Sequence, residues 1–252
     1  MTTSIVSETE TAPADKNFLP GPVLLLGAPG VGKGTQAQLL MAVYGIPQIS
    51  TGDILRTNIA NGTKLGKSAK SLMDEGKLVP DDLVNDMVAL RLAQSDVYSG
   101  YILDGFPRTL VQANWFDMQG PNFRNMPLPV AIGIVVDHTE LLHRITGRRI
   151  CPACKRIYNI FSNPPKIDER CDIEGAKLEQ RPDDTEEAFT RRMKEYEKLT
   201  APVIQHYKDK RRFREVEGQA SVDEVQSRIL AALKDLRKEF PPGSWNSQSG
   251  SR

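Results

Sequence analysis

The chain has 252 residues, 39% hydrophobic and 26% charged, the ordinary make-up of a globular protein able to bury its own core. Thirty-three Lys and Arg against 32 Asp and Glu leave a formal charge of +1, so no global field draws the chain to nucleic acid or to a membrane surface. Three cysteines, no apolar leader and no 18-residue apolar run argue against a disulfide framework and a transmembrane helix, and predict a cytoplasmic protein.

Residues 1–20 are polar and aperiodic, which predicts a disordered extension. From Pro22 the chain turns apolar: Val23-Leu24-Leu25-Leu26, closed by Gly27, reads as a strand buried on both faces of a parallel sheet. Comparable runs follow at Tyr101–Leu103 and Val130–Val136, with a weaker one at Phe213–Val216. Helical patterns lie between them at Lys33–Tyr44, Asp81–Gln94, Leu110–Gln119, Thr139–Ile145, Thr185–Lys208 and Val222–Phe240. This alternation predicts an α/β fold, a doubly wound parallel sheet with helices on both faces. Two stretches break it and read as insertions. Gly52–Leu78 reads as short helices punctuated by Gly62, Gly66 and Gly76, and Gly147–Asp184 holds all the cysteines. The expected organisation is core at 21–51, a first insertion at 52–79, core at 80–146, a lid-like insertion at 147–184, core at 185–240 and a disordered tail at 241–252.

Directly after the first strand stands Gly27-Ala28-Pro29-Gly30-Val31-Gly32-Lys33-Gly34-Thr35. Glycines there let the backbone turn tightly and aim successive N–H groups at phosphate oxygens. A lysine at the start of the next helix, where the dipole favours anions, reaches the terminal phosphates. This is a P-loop in its proper strand-loop-helix setting, and it predicts a nucleoside triphosphate site. The hydroxyl comes one place late, on Thr35, because Gly34 follows Lys33. Asp104 closes the run Tyr101-Ile102-Leu103; a carboxylate at the end of a parallel strand beside such a loop suits Mg²⁺ or its bound water. Asp53 is open to a similar role or to capping the helix that carries Arg56. Phosphoryl transfer needs positioning and charge neutralisation more than covalent chemistry. Arg56, Arg108, Arg144, Arg148, Arg181 and Arg192 each stand beside a turn or helix end, and their planar forks suit phosphate oxygens.

Several motifs, in this order, resemble the adenylate kinases, a branch of the nucleoside monophosphate kinases. They are Gly32-Lys33-Gly34-Thr35, Gln48-Ile49-Ser50-Thr51-Gly52-Asp53-Ile54-Leu55-Arg56, and Asp104-Gly105-Phe106-Pro107-Arg108-Thr109 with Gln112. Arg144-Ile145-Thr146-Gly147-Arg148-Arg149 and Arg181-Pro182-Asp183-Asp184, leading to Arg191-Arg192, complete the set. The likeness implies MgATP + AMP ⇌ 2 ADP, nucleotides as the partners, neither nucleic acid nor membrane, and a monomer. It assigns ATP to residues 27–35 with Arg144 and Arg148, and AMP to Thr51, Arg56, Lys77, Leu78, Val79, Gly105, Arg108 and Gln112. Arg181 and Arg192 would close on the donor phosphates and reach AMP as well. Lys33, Asp104, Arg108, Arg144, Arg148, Arg181 and Arg192 would carry catalysis, and Arg149 is left unassigned. A cis Phe106-Pro107 bond aiming Arg108 into the cleft is implied too. Kinases of UMP and CMP tend to carry a small apolar residue and an Asn at the places of Thr51 and Gln112, so AMP is favoured. Two rivals stand: a UMP, CMP or GMP kinase of the same fold, and a non-catalytic nucleotide-binding regulator.

Cys151-Pro152-Ala153-Cys154 is followed, after 16 intervening residues, by Cys171-Asp172-Ile173-Glu174. Two pairs of potential ligands on tight knuckles suit a tetrahedral structural metal site. Many long-lid bacterial adenylate kinases look alike here, with Cys or Asp in the last slot. The likeness therefore implies Zn²⁺ held by Cys151, Cys154, Cys171 and Glu174, with Asp172 the alternative fourth ligand. Unligated packing thiols and a redox pair are the competing readings. His143 and His206 read as surface residues without a role.

Overall fold

The computed structural model describes residues 21–119 and 127–241; the disorder expected at 1–20 and at 241–252 lies, except for Pro241, outside the described residues. Among these the strands are β1 (Pro22–Leu26), β2 (Gln48–Ser50), β3 (Tyr101–Asp104), β4 (Val130–Val135), β5 (Arg148–Ile150), β6 (Ile157–Asn159) and β7 (Phe213–Glu217). The helices are α1 (Lys33–Tyr44), α2 (Thr51–Ala60), α3 (Lys64–Asp74), α4 (Asp81–Leu92), α5 (Leu110–Gln119), α6 (His138–Thr146), α7 (Glu186–Glu195), α8 (Ala201–Asp209) and α9 (Val222–Glu239).

Five strands form one parallel sheet in the order β2-β3-β1-β4-β7. The all-apolar β1 works because successive side chains leave opposite faces. Val23 and Leu25 join the cluster that includes Ala37 and Leu40 of α1, Leu141 of α6 and Ile229 and Leu233 of α9. Leu24 and Leu26 join the opposite cluster with Leu55 of α2, Val88 of α4, Phe116 of α5 and Val203 of α8. Helices on both faces bury both sets, and the α/β expectation holds. Because β1 lies between β3 and β4, the chain changes direction around it, and the crevice beyond the carboxyl ends of the strands opens there.

The sequence reading needs several corrections. Gln48–Ser50 is a strand although no apolar run marks it: it is three residues long, pairs only with β3, and Ile49 alone is buried. Gly66 does not punctuate but sits inside α3, where a Cβ would meet the Asn58 carbonyl oxygen at 2.1 Å; glycine lets α2 and α3 cross closely. The helix expected at Thr185–Lys208 is interrupted at Tyr196–Thr200 by a π-turn, and Pro202 opens α8 where its missing N–H costs nothing. His206 is half-buried rather than a plain surface residue, with Nε2 2.8 Å from Asp117 Oδ2 in a cluster that also holds Lys210 and Arg212.

Residues 147–184 depart from the parallel scheme. β5 and β6 pair antiparallel, Arg148 opposite Asn159, and the small cluster Cys151, Tyr158, Cys171 and Leu178 fills the space behind them.

Candidate active site

The loop after β1 can curl because glycines hold its left-handed positions. Gly32 caps α1 at φ 98, and a Cβ at Gly27 would stand 2.5 Å from the Ile134 carbonyl oxygen. Lys33 folds back into the loop, its Nζ donating to the carbonyls of Gly27 at 2.8 Å and Ala28 at 2.9 Å. Burial brings its pKa down to about 7, partly opposed by Asp104 and reinforced by Arg108, Arg192 and Arg148. Asp104, at the end of β3, is held by Gln48, whose Nε2 donates to Oδ2 at 2.9 Å.

All six predicted arginines, with Lys33 and Asp104, line one open cleft of about 1120 Å³ that also includes Thr35. Five of the six arginines are tied to acidic side chains. Asp53 Oδ1 accepts from Arg56 Nη2 at 2.6 Å and from Arg181 Nη2 at 3.1 Å. Asp183 accepts from Arg192 at 3.0 Å, and Asp184 takes the fork of Arg148, Nε to Oδ2 at 2.8 Å. Arg108 Nε donates to the Gly105 carbonyl at 2.8 Å, and Arg144 to Glu140 and to the Gly218 carbonyl. Burial, with repulsion from neighbouring arginines, pushes Arg181 and Arg192 down to about 10. A cleft whose cations repel one another strongly favours a polyanion. Arg149 turns away, donating to the carbonyls of Thr146 and Arg148. Asp53 is not the cap of α2: Ser50 is, accepting from the Asp53 amide at 3.3 Å.

A smaller pocket opens off this cleft beneath α2 and α3. Thr51, Arg56, Lys77, Leu78, Val79, Gly105, Arg108, Gln112 and Arg192 line it together; Arg181 lies in the larger cleft instead. The Thr51 hydroxyl donates to the Gly105 carbonyl at 2.9 Å. Gln112 is buried, its Oε1 accepting from the Arg108 amide and its Nε2 donating to Asp81, each at 2.7 Å. The Phe106-Pro107 bond is cis. Three supports went unassigned in the sequence: Asp81 and Thr109, which anchor Gln112, and Thr200, whose hydroxyl donates to the Arg108 carbonyl at 2.9 Å. Pro202 within a helical pattern was the available signal for Thr200, since a π-turn there aims that residue at the site.

In the 147–184 insertion, Cys151, Cys154 and Cys171 bring their sulfurs within 4.8 Å of one another. Among the described residues that group consists of the thiols alone; Glu174 contributes its amide, 3.5 Å from Cys171 Sγ. The Asp172 carboxylate accepts from the Lys166 amide at 2.8 Å. The Glu174 amide and the Tyr158 hydroxyl bring the Cys171 thiol down to about 6, which favours a thiolate.

A P-loop, an arginine-lined cleft and a side pocket opening from it define a P-loop kinase of nucleoside monophosphates. The model of the family described as "Adenylate kinase" matches residues 25–212. The chain is 47% identical over 212 residues to an adenylate kinase of Thermodesulfovibrio yellowstonii, covering 84% of this chain and 98% of that one. It is 45% identical over 215 residues to that of Acetivibrio thermocellus, covering 85% and 99%. For the adenylate kinase of Archaeoglobus fulgidus the identity is also 45% over 215 residues, with the same 85% and 99% covered. The chain belongs to the adenylate kinase family.

Proposed function

We propose that the chain catalyses MgATP + AMP ⇌ 2 ADP. One observation carries this reading: Arg56, Arg108 and Arg192 line both the P-loop cleft and the side pocket, so two nucleotides placed in them meet phosphate to phosphate. The triphosphate lies along residues 27–35, where amides and the helix N-terminus receive it. AMP occupies the side pocket, its phosphate on Arg56 and Arg108 and its base near Thr51, Gln112 and the backbone at 77–79.

Lys33 exchanges its two loop carbonyls for phosphate oxygens and takes up a full charge. Arg148, Arg181 and Arg192, held in place by Asp184, Asp53 and Asp183, turn spare donors to the transferring group. Such pre-set donors need little reorganisation at the moment of reaction. The 147–184 insertion acts as a lid that keeps water, the competing acceptor, away. Asp104 and Thr35 fit Mg²⁺: both offer oxygen, and Gln48 fixes the carboxylate where the strand ends. When bound, the ion neutralises charge on the phosphates.

The clustered thiols fit a structural Zn²⁺, completed by Glu174 or Asp172 after a side-chain turn. No helix among the described residues is long and apolar enough to cross a membrane; a monomer working in the cytoplasm is the part of this reading that rests on the family resemblance alone. A coupled assay with ATP and each of AMP, UMP, CMP and GMP tests the reading. AMP should turn over fastest; preference for another monophosphate would overturn the base assignment, and tight binding without turnover the catalytic one.

A further inference from the structure

Two contacts lay the lid on the helix that carries the phosphate loop. Gln38 Nε2 donates to the Lys155 carbonyl at 2.9 Å. A Cβ at Gly34 would stand 3.1 Å from Ile157 Cδ1. Gly34 and Gln38 are four residues apart in α1 and so share a face, while Lys155 lies in the knuckle two residues before Ile157, the first residue of β6. The hairpin therefore lies along α1 and does not merely touch it at a point. Its Lys155 carbonyl is fixed by the cysteine knuckle itself. Lys155 sits at φ 61, its amide donates to the Cys151 carbonyl at 3.0 Å, and its Nζ donates to the Pro152 carbonyl at 2.7 Å.

We propose that Gln38 is a positioning residue that seats the lid on α1, with Ile157 laid beside Gly34 as the second point of that seat. The inference rests on the phosphoryl-transfer reading for its kinetic consequence, though not for the contact. With the seat lost, the lid opens more often and ATP is held less well, whereas the AMP pocket, which Gln38 does not line, is untouched.

The test uses the full chain carrying Gln38→Ala, Gln38→Glu or Gln38→Arg. Glu keeps the size but sets acceptor against acceptor; Arg keeps a donor. Loss of the donor should raise KM for ATP about threefold to tenfold, the worth of one neutral hydrogen bond, and leave KM for AMP within about twofold. Amides of residues 154–158 should exchange faster in nucleotide-free Gln38→Ala and Gln38→Glu, and Gln38→Arg should restore both measures. Unchanged exchange, or equal rises in both KM values, overturns the proposal. If the unaltered chain shows no turnover, the phosphoryl-transfer reading fails, while the exchange measurement still decides the contact.

Discussion

The Asp184 side chain has 0% solvent exposure, and Arg148 closes over it as a forked ion pair from the lid. The pair joins β5 to the segment that leads into α7, so it ties the two ends of the insertion together and sets a charge beside the cleft. Asp184→Ala leaves the half-buried guanidinium without its partner, and removing one member of such a pair costs about 3 kcal/mol or more. Urea unfolding should show the midpoint fall accordingly. An unchanged midpoint would mean that water replaces the carboxylate without loss.

Acid should weaken the fold through three other aspartates, Asp183, Asp53 and Asp117. Burial raises Asp183, but Arg192, Arg56, Arg148 and Arg181 together hold it below the usual carboxylate range. Burial likewise acts against the net lowering of Asp53 by Arg56 and Arg181, and of Asp117 by Arg212, Lys210 and His206. A carboxylate depressed in the folded state contributes stability that is complete above its unfolded pKa, about 3.9, and drains away as pH falls through the lower folded value. Stability should thus hold from neutral pH to about pH 5 and drop steeply below about pH 4. Denaturant titrations at intervals through that range check it, and a flat profile counts against the pairs.

Lys33 moves in the opposite sense. Burial brings its free pKa to about 7, so at pH 8 most of the free protein carries a neutral amine there. Phosphate raises the pKa again, and ATP binding at pH 8 should take up close to one proton. Affinity should decline as pH rises above 7. Calorimetric titration in two buffers of different ionisation enthalpy reads the uptake directly. Lys33→Met should abolish it and lower kcat by at least about a hundredfold, with the circular dichroism spectrum unchanged. Binding without proton uptake would contradict the buried-amine account.

Much of this is legible in the amino-acid sequence. The cradle at 27–35, the carboxylate at Asp104 and the arginine set announce themselves because phosphate chemistry demands particular residues at particular chain punctuation. β1 was readable because a strand buried on both faces has no polar position to hide. What escaped was set by neighbours far along the chain. β2 borrows its pairing from β3, so its three residues carry no pattern of their own. Gly66 resembles a turn until α2 is placed against it. The tasks of Asp53, Asp183 and Asp184 appear only when the lid, α2 and α7 bring their arginines together. Carboxylates beside matched arginines were the signal, and only their partners were missing.

The lid thiols make a separate forecast. Purified protein should carry close to one equivalent of zinc, and a strong chelator should lower its melting temperature and free three thiols to a thiol reagent. Far less than one equivalent, with melting unmoved by chelator, would leave the cysteines as packing residues.

The most direct trial of the whole account is the reaction run backwards. Pure protein incubated with ADP and Mg²⁺ should produce ATP and AMP in equal amounts, because two diphosphates then fill the two pockets with their ends opposed. Release of inorganic phosphate in place of ATP, or no reaction at all, would contradict it.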